Sequence, residues 1–134
     1  MKRRTCLKAM LAVAGGAVIP AAATAQTDEG RPIQLHADLA VDPAKEQEML
    51  RFFAEKFHPA AAQQPGFIDM RMLKLKATLR GVPPPGANYQ FVLTFASEPL
   101  RQKWIATDTH KQLWPMLEAT LTDKNYSRLL YDVY

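Results

Sequence analysis

His110 stands between two tryptophans, six residues after Trp104 and four before Trp114. A neutral imidazole accepts a proton near pH 7, as the base for a phenol or quinol must. The flanking indoles could stack on a flat aromatic substrate. The same spacing also suits two helix anchors and a histidine near a helix N-terminus that packs on Trp114. His36 and Asp38 share one face of any strand that carries them, which suits an oriented base or a polar contact across a dimer. His58, just before Pro59, reads as exposed. Tyr89, Tyr126, Tyr131 and Tyr134 offer hydroxyls to a phenolic ligand and are equally natural strand formers. Asp69 and Arg71 alternate and are expected to pair with charges on a neighbouring strand or subunit. No HExxH, GxGxxG, P-loop or GxSxG pattern occurs, so zinc-protease, dinucleotide, nucleotide and serine-hydrolase chemistry have no motif here.

These residues need elements to position them. Residues 32–41, PIQLHADLAV, alternate: Ile33, Leu35, Ala37, Leu39 and Val41 on one face, Gln34, His36 and Asp38 on the other. Asp42-Pro43 then starts a helix, cap followed by first-turn proline. Met49, Leu50, Phe53 and Phe57 form its apolar stripe, Pro59 kinks or ends its regular part, and Pro65-Gly66 stops it. A second strand is predicted over 67–76, with Ile68, Met70 and Met72 on one face and Phe67, Leu73 and Leu75 on the other. The stretch Gly81–Asn88, GVPPPGAN, is a stiff turn region, long for a hairpin. A third strand comes next, over 89–96. Ser97 caps the next helix, TDTH breaks it, and His110, Leu113, Trp114, Leu117 and Leu121 make a last helical stripe. Residues 126–134 form a closing strand. The order β-α-β-β-α-β is the ferredoxin-like, split βαβ arrangement of the α+β class: an antiparallel sheet with helices on one face. Neither face of the second strand is made for water, so a second subunit is expected over the open face.

The chain has 134 residues, the size of one domain, and a formal charge of +4. Lys2, Arg3, Arg4 and Lys8 supply all of that excess; the remaining 13 basic and 13 acidic residues balance. A nucleic-acid footprint is therefore missing. Residues 1–25 read as an export signal: a basic start, an Ala/Gly-rich apolar middle, and Ala23-Thr24-Ala25 before Gln26. RRTCLK resembles a twin-arginine motif with Cys6 where Phe is usual; an ordinary Sec signal is the alternative. The apolar run is short for a membrane anchor. Residues 26–31 are a linker and 32–134 the folded domain. The expected location is periplasmic or secreted. Cys6, the single cysteine, would leave with the signal, so no thiolate nucleophile, disulfide or cysteine metal ligand is expected in the domain.

Over residues 32–134 the chain resembles the antibiotic-biosynthesis-monooxygenase family of dimeric α/β-barrel proteins. The residues that carry the likeness are VDPAKEQEML, QQPGF, YQFVLTFASE and the pattern W-x2-T-x2-H-x3-W-P. The resemblance implies a homodimer, and an oxygenase that needs no cofactor or metal because its substrate carries the redox chemistry. The candidate base for it is His110, and the candidate substrate contacts are Trp104, Trp114, Phe95, His36 and Asp38. The substrates would be dioxygen and a small aromatic, quinol- or anthrone-like molecule. The haem-degrading branch carries Asn on the first strand, Trp at the end of the third and His on the following helix. Ungapped matching places Ala37 and Phe95 at the first two, and only His110 agrees. The alternative reading is a periplasmic, non-catalytic dimeric binding module for a hydrophobic or haem-like ligand; a third is a barrel with a filled core.

Overall fold

The computed structural model describes residues 30–134. The expected signal over 1–25 and residues 26–29 of the expected linker lie outside them. The first alternating stretch is strand β1, Ile33–Val41, with Ile33, Ala37, Leu39 and Val41 buried. Asp42 caps the turn after it: its carboxylate accepts the Ala44 N–H at 2.9 Å. This 3-10 turn, Pro43–Lys45, leads into helix α1, Glu46–Phe52, then a π-helical turn, Phe53–Phe57, then α2, His58–Ala62. The widened turn has a sequence cause. Pro59 has no N–H to give, and its ring would clash with the carbonyl four residues back. One π turn before it, where the His58 N–H reaches back to the Phe53 carbonyl, opens the space. The helix thus stays continuous and buries Met49, Phe57 and Ala61.

Gly66 closes this segment at φ +87°, with its carbonyl taking the Ala96 N–H at 2.7 Å. Strand β2 is Phe67–Lys74 and β3 is Tyr89–Phe95. The register shifts between Phe67 and Asp69, a bulge that corrects the expected facing of β2. Phe67, Met70 and Met72 pair with Phe95, Leu93 and Phe91, and so share the helix-covered face. Leu73, opposite Gln90, is on the open one. Between β2 and β3, Asn88 fixes the proline-rich loop. Its side-chain amide accepts from the Val41 N–H and donates to the Val41 carbonyl, imitating one more strand residue beside β1.

Ser97 accepts from the Leu100 N–H and caps α3, Glu98–Ala106; Thr107 caps α4, Asp108–Glu118. The expected break at TDTH is the junction between them. Leu121 is not on the helical stripe: Leu121–Asp123 is a short strand, β4, against Val41. Thr120 turns the chain there, its hydroxyl on the Leu117 carbonyl. The last strand, β5, is Arg128–Asp132. All pairings are antiparallel, in the order β2-β3-β1, with β4 and β5 sharing the other edge of β1. Apart from the short added β4, this is the ferredoxin-like topology. Helices cover one face, where Phe57, Phe91, Phe95, Trp104 and Leu117 meet. On the open face, Leu73, Leu129 and Tyr131 are about half exposed. Among the described residues no helix is long and apolar enough to cross a membrane.

Candidate functional site

The α3–α4 junction brings together the residues singled out by spacing. Thr107 does it with one hydroxyl, which donates to the Trp104 carbonyl at 2.7 Å and accepts the His110 N–H at 3.1 Å. One side chain thus ends α3 and starts α4. The His110 ring then lies edge-on to Trp104, centroids 5.1 Å apart, and parallel to Trp114 at 6.0 Å and 7°. Phe57, from the π turn, closes in at 6.1 Å. Trp104 is an anchor, 1% exposed. Trp114 is half-buried, and its Nε1 donates to the Tyr126 hydroxyl at 2.8 Å. Tyr126 in turn donates to the Glu118 carboxylate at 2.6 Å. Burial, first, and that carboxylate push the Tyr126 phenol up to about 12, so it keeps its proton at neutral pH and holds the indole in place.

These rings border a cleft of about 50 Å³ between helices and sheet. Its apolar wall is Leu35, Phe57, Phe91, Leu93 and Ile105 with the two tryptophans; its polar members are His110, Arg101 and Arg128. Burial, then the charges of Arg101 and Arg128, lower the affinity of His110 for a proton below its usual level. The imidazole is therefore neutral at pH 7. Its nitrogens have no hydrogen-bond partner among the described residues, so a lone pair is free for a ligand proton. Arg101 is already engaged, with Nε and one terminal nitrogen on Glu98 at 2.6 and 2.7 Å.

The other sequence candidates lie elsewhere. Phe95 is fully buried at the Phe67 end of the sheet, stacked edge-on with that ring, and does not border the cleft. His36 and Asp38 do share a face, but it is the open one. They do not form a couple: His36 Nε2 meets the Gln34 carboxamide oxygen at 2.6 Å and its ring leans on Tyr131. Asp38 accepts from Gln90 and Ser127. Within the chain Asp69 and Arg71 pair with each other at 2.7 Å rather than with a charge on a neighbouring strand. His58 is half-buried between Phe53 and Phe67, not exposed. Tyr89 is tied to Glu46, which also takes Lys74. Two larger hollows, about 280 and 320 Å³, flank the proline-rich loop on the open side. They are lined by Pro84, Ala87 and the occupied carboxylate of Asp38, and hold no histidine. The smaller cleft is the better site because it joins a base with no hydrogen-bond partner among the described residues to stacked aromatic walls. Among the described residues no group of three His, Cys, Asp or Glu side chains could hold a metal ion. Spacing did not single out Arg101, Arg128 and Ile105. Arg128 reaches the cleft only through the register of β5 against Ala37.

No protein-family model and no curated protein matches the chain. Solved structures share its fold. A candidate antibiotic biosynthesis monooxygenase from Caulobacter crescentus superposes with TM-score 0.65 at 19% identity, over 84% of this chain and 98% of that one. SnoaB, a cofactor-independent oxygenase from Streptomyces nogalater, gives 0.62 at 16%, over 77% and 93%. A dimeric ferredoxin-like protein from Jannaschia gives 0.59 at 16%, over 77% and 98%. The chain therefore has the ferredoxin-like fold found in antibiotic-biosynthesis-monooxygenase-like proteins.

Proposed function

We propose that this chain is a cofactor-independent monooxygenase of the antibiotic-biosynthesis type, acting on a small aromatic quinol- or anthrone-like substrate with dioxygen. The observation that carries the reading is the placement of the His110 imidazole, without a hydrogen-bond partner among the described residues, at a cleft walled by Trp104 and Trp114; burial and two nearby arginine charges lower its proton affinity. His110 takes a proton from the activated C–H or O–H of the substrate. In the C–H case the carbanion passes one electron to dioxygen, and the radical pair joins through a C–O bond. The protonated His110 returns its proton to the peroxide. Loss of water converts CH–OOH to C=O, so a methylene and O2 become a carbonyl and H2O. The walls orient the ring and keep bulk water from the intermediate. Turnover under 18O2 should put one labelled atom in the product carbonyl and the other in water. A product without label would overturn the reading.

The protein is further proposed to act as an exported homodimer. The signal-like residues 1–25 support export. The exposed Leu73, Leu129 and Tyr131 on the open face, and the dimeric state of the Jannaschia relative in fold, support the pairing. A second reading, a binding module, draws on the cleft's small volume and few polar groups. A co-purifying ligand of unchanged mass, with no oxygen use, would favour it.

A further inference from the structure

We propose that the molecule taken by this cleft is anionic as well as aromatic, and that Arg128 at the rim selects it by pairing with its carboxylate or phenolate. This rests on the His110 cleft being the ligand site, as in the oxygenase reading, and does not require turnover.

Three observations carry it. The lining holds two guanidinium groups and no carboxylate. One of the two, Arg101, has its charge matched by the two-pronged contact with Glu98, and its side chain is only 14% exposed. The other has no such match. Arg128 pairs with no carboxylate among the described residues, and lies loosely over the Tyr126 ring, 6.0 Å from its centroid. The register of β5 opposite Ala37 turns it to the helix-covered side, at the rim of a cleft whose deep wall is apolar.

A flat ring could therefore enter the cleft beside His110, against its aromatic wall, while its charged end stops at Arg128. A guanidinium offers two parallel N–H groups to a carboxylate, a contact stronger than one between neutral partners. A cationic ligand would meet the Arg128 charge with no carboxylate in the lining to offset it. The lowered proton affinity of His110 fits the same picture: burial is its main cause, and the Arg101 and Arg128 charges that add to it also favour negative charge on a ligand beside it.

Both tryptophans of the chain border the cleft, so intrinsic fluorescence reports on it directly. The test titrates the full chain with 4-nitrobenzoate and with its neutral isostere 4-nitrobenzamide, following tryptophan quenching, with calorimetry as a second readout. The expected result is about tenfold or greater preference for the anion, weakened by salt. It should be lost in Arg128→Gln and largely kept in Arg128→Lys, with circular dichroism showing that both variants fold. Equal affinities, no binding of either compound, or a preference that survives Arg128→Gln would overturn the proposal. Anion preference without oxygen uptake on any phenolic substrate would sink the oxygenase reading and leave this one standing.

Discussion

At the residue scale the proposed chemistry depends on the ionisation of His110. Burial and two nearby arginines depress its proton affinity in the folded chain relative to an ordinary value near 6.5. The unfolded chain therefore takes the proton first as pH falls. Stability from this group is fully present above about 6.5 and declines below it, levelling off once the folded form is protonated too. Denaturant midpoints between pH 7.5 and 5 should show a slope that His110→Gln reduces. The acid limb of kcat/KM should lie below 6.5; a limb at or above that value would contradict a buried base. Tyr126 works one step away. Tyr126→Phe leaves the Trp114 N–H and the Glu118 carboxylate without their partner, and should cost about 1–3 kcal/mol with a shift in tryptophan emission. Part of this was legible in the sequence: the Trp-His-Trp spacing put three rings on one wall. The orphaned imidazole was not, because nearest neighbours across the cleft come from the π turn and from β5. Nor was the separation of His36 and Asp38, which share a face yet bond to Gln34, Gln90 and Ser127 instead of to each other.

At the scale of elements, the α3–α4 junction matters most. Thr107→Ala removes both the bond that closes α3 and the cap that starts α4, an expected loss of about 1 kcal/mol and a fall in Tm of about 4–8 °C. Thr107→Ser should recover most of it. Gly66 is the other point with no slack. A Cβ there would lie 2.5 Å from Leu100 Cδ1, at a φ of +87° that side chains avoid. Gly66→Ala should cost about 1–3 kcal/mol, measured by urea unfolding, and loosen α3 against the sheet. Caps and periodicity announced these elements in advance: Asp42, Ser97 and the Pro65-Gly66 stop all act where residue chemistry places them. The β2 bulge and the short β4 were hidden for a common reason. Each is decided by pairing with a distant strand, Phe95 in one case and Val41 in the other, and neither leaves a local pattern. Leu121 fits a helical stripe and a strand equally well until Thr120 turns the chain.

At the scale of the whole molecule, the sheet is finished on one side only. The order of elements gave the ferredoxin-like topology, because alternating strands, a capped helix and a long hairpin loop allow few other arrangements. In the proposed homodimer a second copy would cover the open face, and how two copies seat on each other leaves no local pattern in the sequence of one. A stable pairing needs roughly 1,000 Å² or more of buried area, and Leu73, Leu129 and Tyr131 with the polar Gln34 and Thr94 offer a mixed patch for it. Sedimentation should give a dimer mass, reduced to a monomer by Leu129→Glu with Tyr131→Glu. Because both side chains are about half exposed, these changes should leave the monomer folded; a monomeric wild type would refute the pairing.

Whether His110 is the base of an oxygenase is decided by oxygen consumption. The metal-stripped protein would be given a panel of hydroquinones and anthrones, wild type beside His110→Ala. The expected result is uptake above the substrates' own autoxidation, cut by about a hundredfold or more in the variant. No uptake by the wild type, or full uptake by His110→Ala, would contradict it.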